Sequence, residues 1–187
     1  MIEHKSPWVK ISAAEKYDNP WISVTEHQVL NPAGGPGIYG VVHFKNKAIG
    51  VITLDDALQV TLVGQFRFAP NAYSWEIPEG GGPLDSDPLE GAKRELLEET
   101  GLKAGRWDKI LKMHLSNSVS DEEAVIFLAR DLSQHEASPE DTEELQLLKV
   151  PFEKAYQLVC NEEITDAMSV AAILKLKLMM YEHQLDL

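Results

Sequence analysis

Apolar and polar positions alternate through the first half of the chain and then recur at helical spacing in three later stretches, a pattern that predicts strands early and helices between and after them. From residue 8 to about 44 the chain reads as β-rich, with strands over 21–30 and 38–44 joined by the turn sequence NPAGGPG. Strands over 48–54 and 58–68 follow, separated by the turn residues Asp55 and Asp56. In the second of these, Val60, Leu62, Phe66 and Phe68 alternate with Gln59, Thr61, Gln65 and Arg67, so Arg67 is expected on the face away from the phenylalanines. The same alternation over 73–77 sets Glu76 opposite Trp75 and Ile77. Later strands are expected over 107–115 and 124–129, the second apolar on both faces and therefore central. The acidic run QHEASPEDTEE reads as a loop, followed by a strand in LQLLKVP. A short helix over 151–159 turns Phe152, Ala155, Tyr156 and Val159 inward, and a longer one from Thr165 or Asp166 to about His183 is apolar at Met168, Ala171, Ile173, Leu174 and Leu178.

The remaining helix is predicted over 88–100. Pro88 suits its first turn, Asp87 can cap its free N–H groups, and Gly101 suits the position where the chain leaves it. Leu89, Ala92 and Leu96 make its apolar line, while Glu95 stands beside both Glu98 and Glu99. Like charges so placed repel by a few tenths of a kcal/mol per pair, roughly, in an isolated helix. A bare cluster of this kind also describes a solvated acidic helix face. The glycine run of Gly80, Gly81 and Gly82, just before the helix, favours a ligand instead, because backbone can approach where a Cβ would intrude. Divalent cations would neutralise the three carboxylates, and an all-oxygen set suits Mg²⁺ or Mn²⁺.

At 187 residues the chain fits one domain, or one with a modest appendage. Its formal charge of −13 argues against nonspecific binding to nucleic acid or to an anionic membrane. With Cys160 alone no internal disulfide can form, and a reducing cytoplasm is the expected setting. Glu3, His4 and Lys5 near the start speak against a secretory signal, and no apolar run approaches transmembrane length. Gly35, Gly37 and Gly40 satisfy GxGxxG, but the strand pattern VVHF follows where a dinucleotide fingerprint requires a helix. No two of the six histidines are spaced as zinc ligands, and no GxSxG nucleophile elbow occurs.

The segment from Gly80 to Leu102 resembles the Nudix box, with Arg94, Glu95, Leu96, Glu98, Glu99, Gly101 and Leu102 on its fixed positions and Ser86 where its first Glu should stand. WEIPEG and GQFR resemble elements of the ADP-ribose and nucleoside-diphosphate-sugar pyrophosphatase branch. The resemblance implies an α/β fold, an α/β/α sandwich with a mixed β-sheet, over 46–187, preceded by a β segment over 1–45 that serves a homodimer and its nucleotide site. It implies metal binding by Glu95, Glu98, Glu99 and the carbonyl of Glu79, with Arg94 orienting the carboxylates. Arg67 would contact phosphate oxygens, Glu76 and the backbone at Gly81 would lie near substrate, and Trp21 would stack on the base. Glu143 matches the water-activating glutamate, with Glu140 and Glu144 as rivals. In SNSVSDE, Ser120, Asp121 and Glu122 match a Ser-Asp-Glu element of the ADP-ribose enzymes, whereas Asn117 and Ser118 replace the Pro-Gly before it. The implied reaction is Mg²⁺-dependent hydrolysis of a nucleoside diphosphate sugar, such as ADP-ribose or GDP-mannose, to a nucleoside monophosphate and a sugar phosphate. A dinucleoside polyphosphate or nucleoside triphosphate substrate, or a noncatalytic nucleotide sensor, are the alternatives.

Overall fold

The computed structural model describes residues 4–138 and 144–185. It divides into two compact units. The first takes in the chain up to residue 46 together with 114–122, and its sheet is a meander of β1 (Val9–Asp18), β2 (Ile22–Leu30) and β3 (Pro36–Phe44), each antiparallel to the next. Asn31 makes the predicted hairpin turn, its side-chain oxygen accepting from the N–H groups of Ala33 and Gly35 at 3.0 Å each. Segment 114–122 is fastened to β3: the Tyr39 hydroxyl donates to the Ser118 carbonyl at 2.6 Å, and Asp121 accepts from the Phe44 N–H at 3.0 Å and pairs with His43. The Ser-Asp-Glu element thus has a structural use within this unit.

The second unit holds two sheets, one of them the mixed sheet expected. β4 (Asn46–Thr53), β5 (Gln59–Arg67), β6 (Ala72–Glu76) and β7 (Glu79–Pro83) lead into α1 (Pro88–Thr100), which is followed by β8 (Leu102–His114), β9 (Glu123–Gln134), β10 (Gln146–Pro151), α2 (Phe152–Cys160) and α3 (Ala167–Tyr181). The mixed sheet runs β7-β4-β9-β8, with β4 parallel to β9, and an antiparallel sheet runs β10-β5-β6. The glycine run is the edge strand β7, because pairing with β4 supplies the order that glycine does not.

Ala92 and Leu96 of α1 close on Ile49 and Val51 of β4 and on Val125, Phe127 and Ala129 of β9. The alternate residues Ile52, Ile126 and Leu128 are buried too, so β9 is apolar on both faces as its sequence predicts. α3 packs against β9 and α2, and its Ser169 hydroxyl accepts from the Ile77 N–H at 2.9 Å. Met168, Ala172, Ile173 and Leu176 are its buried apolar residues, whereas Leu174 and Leu178 are 45% exposed. A helix apolar nearly all round gives periodicity no face to choose. Phe66, near the end of β5, and Phe68, just beyond it, likewise lie outside. No helix among the described residues is long and apolar enough to cross a membrane.

Candidate active site

Local chemistry fixes α1 at both ends. The Asp87 side chain accepts from the Leu89 N–H at 3.0 Å, and Gly101, at φ +70°, donates its N–H to the Leu97 carbonyl at 2.9 Å. Ser86, the departure from the box, turns its hydroxyl onto the Pro83 carbonyl at 2.9 Å and so helps shape the turn before the helix. With Ala92 and Leu96 on the core, the register of α1 turns Glu95 and Glu99 toward β7.

Both carboxylates are buried, Glu99 at 3% and Glu95 at 8% exposure. Glu99 accepts from the Glu79 N–H at 3.0 Å. Glu95 lies so close over Gly80 that a Cβ there would stand 2.2 Å from its carboxyl carbon, which only glycine avoids. Arg94 clips the arrangement together. Its Nη2 donates to Glu95 at 2.5 Å and to the Gly81 carbonyl at 2.8 Å, while its Nη1 donates to the more exposed Glu98 at 2.7 Å. Desolvation pulls the Arg94 pKa down, but Glu95 and Glu98 outweigh it and raise it overall.

A second ionic group lies on the antiparallel sheet. β5 and β6 put Arg67 and Glu76 on one face, and Arg67 Nε donates to both Glu76 oxygens at 3.0 Å. Its Nη2 donates at 2.6 Å to Glu76 and at 2.6 Å to Glu79. Arg67 is therefore held by two carboxylates, with its side chain 37% exposed, rather than standing alone on a strand. Asp166, the N-cap of α3, accepts from the Ser169 N–H at 2.7 Å and completes an acidic trio with Glu76 and Glu79. Burial, with Asp166 and Glu76 close by, pushes the Glu79 carboxyl well up, against the pull of Arg67.

Of the residues singled out from sequence, Glu79, Gly81, Arg94, Glu95, Glu98 and Glu99 come together at α1 and β7, and Glu79 also joins them to Arg67 and Glu76. Trp21 belongs to the first unit and is 66% exposed. Glu140 and Glu143 lie outside the described residues, and Glu144 is exposed. The Glu79 side chain and Asp166 were missed. Glu79 drew notice only for its carbonyl and Asp166 only as a helix start, and no local spacing links the two.

The box residues fit a hard divalent cation. The set is all oxygen, two of its carboxylates are buried a helical turn apart, and Gly80 leaves open the space a Cβ would fill.

Residues 44–171 match the NUDIX domain, and residues 8–42 match the nucleoside diphosphate sugar hydrolase N-terminal domain. The chain is 28% identical to an ADP-ribose pyrophosphatase of Mycobacterium tuberculosis, over 93% of this chain and 84% of the relative. It is 35% identical to an ADP-ribose pyrophosphatase of Bacillus subtilis, over 70% of this chain and 72% of the relative. A crystal structure of an ADP compounds hydrolase superposes with a TM-score of 0.86 at 16% identity, covering 97% of this chain and 98% of that one, which shows the shared α/β fold. The chain belongs to the Nudix hydrolase family.

Proposed function

We propose that this enzyme hydrolyses the diphosphate bond of a nucleoside diphosphate sugar of the ADP-ribose class, releasing a nucleoside monophosphate and a sugar phosphate. The observation that carries the reading is the seating of buried Glu95 and Glu99 on the Glu79–Gly80 backbone, with Glu98 at the rim. The likeness to ADP-ribose pyrophosphatases and to the sugar-nucleotide N-terminal domain supports the choice of substrate.

Glu95, Glu98, Glu99 and the Glu79 carbonyl would hold Mg²⁺, with Mn²⁺ as a substitute. When bound, the metal supplies Lewis-acid polarisation of the diphosphate and a lowered pKa for the attacking water. Arg94 fixes the carboxylates by ion pairing, which limits the reorganisation they need when substrate arrives. Arg67, oriented by Glu76 and Glu79, offers its guanidinium to phosphate oxygens. Glu143 takes the proton of the attacking water. The N-terminal unit supplies the contact of a homodimer, and its exposed Trp21 a surface for stacking on the base. We place the enzyme in the cytoplasm, where its single cysteine needs no partner.

The test is a substrate panel with Mg²⁺ and with EDTA: ADP-ribose, GDP-mannose, UDP-glucose, a diadenosine polyphosphate and nucleoside triphosphates, read by phosphate release after phosphatase coupling. Metal-dependent turnover of the sugar nucleotides, ADP-ribose foremost, is expected. Turnover confined to polyphosphates or triphosphates would overturn the substrate class, and silence throughout would leave a nucleotide sensor.

A further inference from the structure

The side chains of the acidic trio beside Arg67 are not used by the Nudix box. One oxygen from each of Glu76, Glu79 and Asp166 lies within 4.8 Å of the others. They line a cavity of about 620 Å³ with Arg67, Ser74 and Thr165. Glu76 is 3% exposed and is satisfied by Arg67. Glu79 is different. Its side chain is only 10% exposed, and its Oε1 accepts from Arg67, yet its Oε2 is buried without a hydrogen-bond partner among the described residues. A buried carboxylate oxygen left in that state costs free energy that a ligand on it would recover.

We propose that Glu76, Glu79 and Asp166 form a divalent-cation site of their own, separate from the carboxylates of α1, with the free oxygen of Glu79 as its anchor. Charge supports the assignment: three carboxylates stand against the one guanidinium of Arg67, a balance of two negative charges. So does geometry. Three oxygens within 4.8 Å of one another lie no more than about 2.8 Å from a common centre, so a small inward movement of the side chains brings them to the roughly 2.4 Å of hard oxygen-bound ions. The cavity leaves room for water to complete the coordination shell. Glu79 is also the link between the two acidic groups, since its N–H is held by Glu99 and its side chain faces Asp166.

The experiment counts Mn²⁺ rather than turnover. In a Glu98→Gln/Glu99→Gln protein, which keeps an acceptor for the Glu79 N–H but loses two box charges, Mn²⁺ binding is followed by the loss of the free-ion EPR signal, with Ca²⁺ as competitor. One Mn²⁺ per chain is expected to remain. Glu79→Gln and Asp166→Asn, each added singly, should weaken it at least about tenfold; Asn still caps a helix, so α3 is spared. If the box variant does not fold, the count in the otherwise unaltered protein should fall by one on Glu79→Gln. The absence of bound Mn²⁺ at millimolar concentration, binding indifferent to both substitutions, or an unchanged count in the unaltered background would each overturn the site and leave a proton on Glu79 as its neutraliser.

Discussion

Two groups of three carboxylates, each with one arginine, stand in the second unit, and they are built in opposite ways. Glu95, Glu98 and Glu99 come from a single helix, and Arg94, which pairs with two of them, lies on the same helix. Glu76, Glu79, Asp166 and Arg67 come from β6, β7, the start of α3 and β5. The register of one helix sets the first group; the second exists only when two sheets and a distant helix have docked. Charge in the first group is held partly open to solvent at Glu98 and Arg94, as the proposed binding of a metal and a diphosphate there would require. Charge in the second is enclosed around Arg67, so its loss should be felt first as stability and that of the first group as turnover.

The largest expected effect follows from removing the arginine of the enclosed group. Arg67→Met would leave Glu76, at 3% exposure, facing Glu79 with no cation between them. Breaking a buried pair from one side costs about 3 kcal/mol, the lower end of the usual range because Arg67 itself is over a third exposed. Urea denaturation of wild type and variant in EDTA measures it, and a loss under about 1 kcal/mol would show that the enclosure is only apparent.

Next in size is the matching change in the helix group. Glu99→Gln keeps an acceptor for the Glu79 N–H, so folding should survive while a ligand charge is lost. We expect kcat on ADP-ribose to fall at least about a hundredfold at saturating Mg²⁺. Unchanged turnover would remove Glu99 from the metal set. A smaller effect, about ten- to a hundredfold, is expected from Gly80→Ala. The added Cβ would fall 2.2 Å from the Glu95 carboxyl carbon, and the side chain can swing away cheaply but not keep its place. Its melting temperature should stay near that of wild type; a large thermal loss with turnover intact would contradict this division.

The difference in construction also explains what could be read from sequence. Asp87, Pro88 and Gly101 act on their immediate neighbours, so the bounds of α1 and the grouping of its glutamates followed from spacing alone. Nothing near Gly80, Gly81 and Gly82 signals a strand, because β7 is defined by β4, far back in the chain. Arg67 and Glu76 were each set on a face by alternation, but their pairing needed the β5–β6 register. Asp166 already had a sufficient local reason to be where it is, as a cap for α3, and this concealed its place beside Glu79.

The smallest effect tests whether the enclosed group depends on docking at all. Ser169, fully buried, fastens α3 to the end of β6 by accepting from the Ile77 N–H, three residues along from Asp166. Ser169→Ala leaves that N–H without its acceptor, and a buried unsatisfied donor costs about 1–3 kcal/mol. For a chain of this length, 1 kcal/mol lowers the melting temperature by about 2–4 °C, so a fall of at least that size is expected by calorimetry. If Asp166 is held in place by this contact, Mn²⁺ binding at the trio should weaken severalfold in the same variant, whereas the helix group, set by α1, should keep its affinity. Equal weakening at both would mean that β7, which Glu79 shares between them, couples the two groups, and the contrast between a local and a docked site would reduce to one site with two arms.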